Sequence, residues 1–320
     1  MNCVRNEPTT TFTFLIISKS YLLEKELAHL ILFCLLIVPE SVKIFRNLLF
    51  DVLVKKMQEK KVCLVIGAGA GIGVNVAKKF AISGYHAVIS RRTNQEGLDN
   101  SVKNIEKAGG NATGFLINAI EENSLENLIE KVEKSIGPIS VAVFNLGSQI
   151  GNRSLFETSD KVFERGWRMA TLALFRTAKK LFPYMEKRGG GTLLVTSSTA
   201  AVRGNKGQHS HAASMGGRRM LCQTLNAEFS SKGIHTTHII IDGAVDAPDT
   251  LGKMLGKEAY QALRKEKGLG KDGKLLPDKI AETYYHLAHQ HRSAWTHEVD
   301  LRAYNDDPWW NTPRNIANSI

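Results

Sequence analysis

The stretch from Val62 to Ser90 constrains the fold more than any other part of the chain. Val62–Ile66 is a short apolar run with strand character. It runs straight into Gly67-Ala68-Gly69-Ala70-Gly71-Ile72-Gly73. Apolar residues then recur at helical spacing in Ile72, Val76, Phe80 and Ala81, Gly84 closes the helix, and His86–Ser90 forms a second apolar run. A strand, a glycine turn, a helix and a second strand in register predict a dinucleotide site. Glycine lets the backbone turn sharply and approach a pyrophosphate closely. The helix N-terminus offers that anion unpaired N–H groups and a partial positive charge. The plainer reading is a tight turn with nothing bound.

The alternation continues along the chain. Strands are expected at Thr113–Ile117, Val141–Asn145, Thr192–Thr196, His235–Ile241 and Glu298–Leu301. Helices are expected at Leu98–Ala108, Leu125–Ile136, Lys161–Lys187 (interrupted by Pro183), Ser210–Lys232 and Asp278–Gln290. Strands that alternate with helices predict an α/β fold, a doubly wound parallel sheet of Rossmann type with helices on both faces. No internal repeat or linker divides it. Residues 57–302 are expected to form this domain and 303–320 a C-terminal tail.

Residues 1–56 differ from the rest and form a hydrophobic N-terminal extension. Leu30–Val38 is an unbroken apolar run stopped by Pro39, short of the roughly 20 residues a spanning helix needs. Val42–Val54 is apolar but carries Lys43, Arg46 and Asp51. A leader, residues upstream of a start at Met57, and a targeting segment or one-sided anchor all fit. A net charge of +11 favours anionic ligands or surfaces. No basic helix interleaved with aromatics and no metal-ligand spacing is present, so neither nucleic acid nor a metal is expected. Cys3, Cys34, Cys63 and Cys222 are scattered, which suits a reducing compartment. A cytoplasmic protein is expected, with organelle targeting or membrane-surface contact open through residues 30–54.

The glycine spacing narrows the family. Gly67, Gly71 and Gly73 give G-x-x-x-G-x-G, which resembles the short-chain dehydrogenase/reductase family. Phe144-Asn145-Leu146-Gly147 resembles that family's Asn-Asn-Ala-Gly, and Ser197-Ser198 ends the strand that carries its serine. Ile241-Asp242-Gly243 resembles its Pro-Gly segment, with Asp242 in place of proline. The stretch Ser293–Arg302 resembles a divergent branch. The resemblance runs from Lys61 to about Leu301. It implies nucleotide contacts from Gly67, Gly71, Ile72, Gly73, Asn145, Gly147, Asp242 and Gly243. It also implies a homodimer or homotetramer paired through the two long helices.

The second strand ends Val88-Ile89-Ser90-Arg91-Arg92, and no acid occurs before Glu96. NAD-preferring domains place an acid there for the ribose 2′-OH. Ser90 can donate to a phosphate, and a guanidinium can grip one with two parallel bonds. NADP(H) is therefore the expected cofactor, although Arg91 and Arg92 also suit a solvated loop. Asn118, after the third strand, could bond the adenine amino group.

The resemblance implies a serine, a Tyr-x-x-x-Lys pair and an asparagine as the proton-handling groups. With Ser198 as the serine, the pair becomes His211-x-x-x-Met215, and the asparagine position is Ala170. Three readings follow. His211 replaces the acid, with His209 as a second candidate; or the site reduces an activated C=C bond; or the protein binds nucleotide without turnover, as a sensor or subunit. Leu251–Lys279, at the family's substrate lid, holds Lys253, Lys257, Arg264, Lys265, Lys267, Lys271, Lys274 and Lys279. A solvated face fits these charges, and so does a site for a phosphate-bearing substrate such as a coenzyme A ester.

Overall fold

Seven parallel strands order the molecule: β1 Val62–Ile66, β2 His86–Arg91, β3 Asn111–Leu116, β4 Ile139–Phe144, β5 Gly191–Ser198, β6 Ile234–Asp242 and β7 Glu298–Arg302. In the computed structural model, which describes residues 61–147, 152–267 and 270–310, they form one sheet in the order β3-β2-β1-β4-β5-β6-β7. Residues 1–56 and 311–320, with the expectations placed on them, lie outside the described residues. Every residue of β1 is buried, as a strand covered on both faces requires. Its side chains alternate between two cores. Val62, Leu64 and Ile66 belong to one, and Cys63 and Val65 to the other.

The helices that cover these faces are α1 Ile72–Ile82, α2 Gln95–Lys107, α3 Ser124–Ser135, α4 Asp160–Trp167, α5 Ala173–Lys187, α6 His209–Phe229, α7 Lys257–Lys267 and α8 Pro277–Ala288. Leu125, Ile129, Leu174, Leu181 and Cys222 of α3, α5 and α6 fill the first core. Val76, Phe80, Leu98, Ile105, Ile280 and Tyr284 of α1, α2 and α8 fill the second. Connections after β1 run outward through β2 to β3, and β4 then starts on the other side of β1. That reversal leaves a crevice above the C-terminal ends of β1 and β4, where open α/β sheets bind ligands.

Three local features depart from the sequence reading. Helix α2 begins at Gln95, not Leu98, because Asn94 adopts a left-handed φ of 72° and its side chain accepts from the Gly97 N–H. Helix α7 was not expected, since Lys-Glu-Ala-Tyr-Gln-Ala-Leu-Arg-Lys-Glu-Lys has no apolar stripe and buries only Tyr260. The expected long helix is continuous from Asp160 to Lys187, but a π-turn at Arg168–Leu172 joins α4 to α5. Pro183 does not end it.

At the β6–β7 edge a buried histidine makes the fold acid-sensitive. His238 is fully buried, and its Nδ1 lies 2.9 Å from Glu298, which also takes two bonds from Arg219. Burial pushes the His238 pKa down from 6.5 to about 4, against the pull of Glu298. Between those values the unfolded chain binds a proton that the folded chain refuses, so stability rises with pH across that window and is flat above it. We predict that the protein loses on the order of 2 kcal/mol between pH 7 and pH 5 through this group. Thermal melts across that range should show a shallower fall in Tm for His238→Asn than for wild type.

Candidate functional site

The glycine turn is held from both neighbouring strands. The Gly67 and Ala68 N–H groups donate to the Ser90 carbonyl at 3.0 and 2.8 Å. The Asn145 N–H donates to the Ile66 carbonyl, and its Nδ2 donates to the Gly67 carbonyl, both at 2.8 Å. Gly67 has a φ of 91°, and a Cβ there would lie 2.8 Å from the Asn145 carbonyl oxygen. A Cβ at Gly73 would lie 2.7 Å from the Gly67 oxygen. These positions need glycine because strand end, turn and helix meet at backbone distance. Helix α1 starts at Ile72 behind Gly71, with no side-chain cap and no acid in its first turn. Its positive end is therefore not neutralised from within. Gly147, three residues after β4, is exposed.

Ser90 is tied into this turn rather than facing outward. Its residue is 1% exposed, and its hydroxyl points to the Val65 carbonyl at 3.4 Å. Arg91 is half-buried and Arg92 exposed. Arg91 reaches over the start of α2, where a Cβ on Gly97 would come 2.7 Å from its Nη1. Gly97 makes room for that guanidinium, a role the sequence does not signal. Asn118, after β3, donates from Nδ2 to Glu121 at 2.7 Å.

At the other end of the crevice, Ser198 Oγ and His211 Nε2 lie 3.2 Å apart. β5 supplies the serine at its last residue, and the first turn of α6 supplies the imidazole. His209, the first residue of α6, is exposed. One layer below, Met215 is buried against Ala170 and Ala200, with its sulfur 3.7 Å from Ser197 Oγ. Ala170 and Met215, which the resemblance aligns with the asparagine and lysine, thus pack together in a small apolar cluster.

Arg218 lies beneath that cluster and was missed. It is 1% exposed. Its Nε donates to the Ala170 carbonyl at 3.1 Å, Nη1 to Thr196 at 2.5 Å and Nη2 to Leu146 at 2.8 Å. The guanidinium also sits 5.1 Å from the centre of the Phe144 ring. Burial lowers its pKa to about 10, so it is charged at neutral pH. Bonds from a charged donor are worth about 1.5–3 kcal/mol each, against a desolvation cost of several kcal/mol per buried ion. The two are comparable in size. The available signal was its spacing, four residues from both Ser214 and Cys222 on the buried face of α6.

The end of β6 is engaged by the C-terminal segment. Asp242 accepts from the Trp309 N–H at 3.0 Å, and burial raises its pKa. Arg203 donates to the Trp309 carbonyl at 2.7 Å. Gly243, at a φ of 135°, passes close to Asp306, whose carboxylate a Cβ would meet at 2.9 Å. In the lid, Asp246 gathers Tyr260, Lys274 and Arg264 at 2.5, 3.1 and 3.3 Å. Burial opposes its ionisation, but these partners outweigh it and lower its pKa. Lys267 pairs with Asp306 and Lys279 with Glu282. Arg264, Lys267, Lys274 and Lys279 of the basic lid residues are thus matched by acids. Among the described residues no helix is long and apolar enough to cross a membrane.

Comparison with known proteins agrees with this geometry. The 3-oxoacyl-acyl-carrier-protein reductase of Thermotoga maritima is 28% identical over 241 residues, 75% of this chain and 95% of that protein. The 7alpha-hydroxysteroid dehydrogenase of Escherichia coli is 28% identical over 203 residues, 63% of this chain and 78% of that protein. Among solved structures, a short-chain dehydrogenase from Rhodopseudomonas palustris superposes with a TM-score of 0.63 at 31% identity, covering 76% of this chain and 99% of that one. An alcohol dehydrogenase from Thermococcus sibiricus, complexed with 5-hydroxy-NADP, superposes with a TM-score of 0.65 at 25% identity, covering 78% and 99%. The family pattern described as short chain dehydrogenase matches residues 61–253, more than half of the sequence. The protein belongs to the short-chain dehydrogenase family.

Proposed function

We propose that the protein binds NADP(H) in the crevice above β1 and β4 and reduces a carbonyl or an activated C=C bond, with Ser198 and His211 delivering the proton. The residues present fit the nucleotide. Gly67 and Gly73 let the turn pack tightly on the backbone of Asn145 and Gly67, and the uncapped, acid-free start of α1 beside it suits a pyrophosphate. Arg91 and Arg92 stand at the end of β2, where an acid would repel a 2′-phosphate. Ser90 supports this end through its carbonyl grip on the turn, not through its hydroxyl. Asn118 presents its amide carbonyl as an acceptor for an adenine amino group. The alcohol dehydrogenase relative complexed with 5-hydroxy-NADP supports the same ligand.

The observation that carries the catalytic reading is the 3.2 Å contact between Ser198 Oγ and His211 Nε2. Bound NADPH supplies the hydride. Ser198 holds the substrate oxygen, and protonated His211 passes its Nε2 proton to that oxygen, directly or through the serine hydroxyl. This chain forms a variant of the family in which imidazole takes the tyrosine's place and Met215 the lysine's. An activated alkene would ask less of the pair, because its proton is needed only after hydride addition. The packing of Ala170 with Met215 favours a second reading, a nucleotide-binding sensor or subunit without turnover. Exposed Phe163, Trp167 and Phe175 on the long helix and Met220 on α6 suit a homo-oligomer paired through those helices.

A panel of aldehydes, ketones and unsaturated thioesters tests the function by NADPH consumption. Wild type should turn over at least one class. His211→Ala should lower turnover by about 10²–10⁴-fold, while its NADPH affinity stays within threefold of wild type. Tight NADPH binding with no turnover across the panel would establish the sensor reading. Unchanged turnover in His211→Ala would remove the imidazole from the mechanism.

A further inference from the structure

We propose that Arg218 is a positioning residue of the nucleotide site, a fixed buried cation that sets the crevice's nicotinamide-side wall and its electrostatic potential. Its ligands are three backbone carbonyls from three separate elements. Leu146 follows Asn145, whose side chain holds the glycine turn. Thr196 lies two residues before Ser198 on β5. Ala170 belongs to the π-turn, and its carbonyl accepts from this donor on another helix. One guanidinium therefore fixes the loop beside the glycine turn, the strand carrying the serine, and the helix behind both. Its planar fork suits this, because five N–H groups point outward in fixed directions.

The charge has a second effect. Arg218 is bonded to neutral carbonyl dipoles, and no ion pair to it occurs among the described residues. Water cannot reach it, so its field is weakly screened and extends into the crevice above. An anionic ligand there gains attraction from a charge already in place. The position of this charge on α6 is also telling. Met215 lies three residues earlier, on the same face of the helix, and packs on the residue whose carbonyl Arg218 holds. A lysine at 215 with an apolar residue at 218 would keep one cation on the same helix face, about one turn away. Both sites filled with cations would repel.

The ligand side of this inference rests on the NADP(H) reading; the cation's place in the fold does not. Four proteins separate the two: wild type, Arg218→Lys, Arg218→Leu, and Met215→Lys with Arg218→Leu. Each is titrated with NADPH by fluorescence at a temperature where circular dichroism shows it folded, and each is melted without ligand. Arg218→Leu should bind NADPH at least tenfold more weakly, and Arg218→Lys should fall between it and wild type. The double variant should recover to within threefold of wild type in affinity and melt above Arg218→Leu. A lower Tm with unchanged NADPH affinity in folded Arg218→Leu would overturn the proposal, leaving the residue a structural brace. If Arg218→Leu does not fold, the double variant decides alone. Folding and binding support the relocated cation; failure of either overturns it. If wild type itself does not bind NADPH, the cofactor reading falls, and the unliganded melts still test the cation. A double variant that melts no higher than Arg218→Leu would then contradict it.

Discussion

Everything at this site depends on how closely the backbone after β1 can approach the backbone after β4. The connections that leave these two parallel strands run to opposite sides, and the Asn145 amide bridges the strand ends by donating to the Gly67 carbonyl. The contact leaves no space for a Cβ at Gly67 or Gly73. That close packing brings the turn to the start of α1, whose uncapped N–H groups suit a pyrophosphate. Ser90 completes the clamp from β2, which explains why its side chain is turned inward. The nucleotide half of the crevice is thus a property of the sheet topology, refined by glycine.

The half that holds Ser198 and His211 follows a different logic. Polar groups at positions 170 and 215 would share a buried space and need partners there. Here Ala170 and Met215 fill that space with apolar contact, so neither leaves an unsatisfied group. Polar function is confined to the layer above, where Ser198 meets His211, and to the layer below, where Arg218 binds backbone carbonyls. Ala170, Met215 and Arg218 are physically compatible with one another. A lysine at 215 beside the present Arg218 would bury two like charges without a counter-ion.

The β-strands were readable as short apolar runs, and most helices by the spacing of their apolar residues. β1 shows this most plainly, with all its residues apolar and buried. The glycine turn was readable because its residue types are forced by backbone geometry. What escaped depends on contacts between residues far apart in sequence. Nothing local marks Gly97 as the seat of the Arg91 guanidinium, or Asp242 as the acceptor for Trp309. The pairing of the lid's charges escaped for the same reason. Its lysines and arginines fit a solvated face or a phosphate site in sequence, and Asp246, Asp306 and Glu282 pair with Lys274, Arg264, Lys267 and Lys279 in the fold. Arg218 was overlooked because a charged residue on a helix is ordinarily solvated.

The central claim is that this crevice is built for a nucleotide bearing a 2′-phosphate. Calorimetric titration of wild type and Arg91→Ala with NADPH and with NADH tests it most directly. Wild type should bind NADPH at least tenfold more tightly than NADH, and Arg91→Ala should lose most of that preference while its NADH affinity changes little. Equal affinity of wild type for the two nucleotides would contradict the assignment of Arg91 and Arg92, and with it the cofactor.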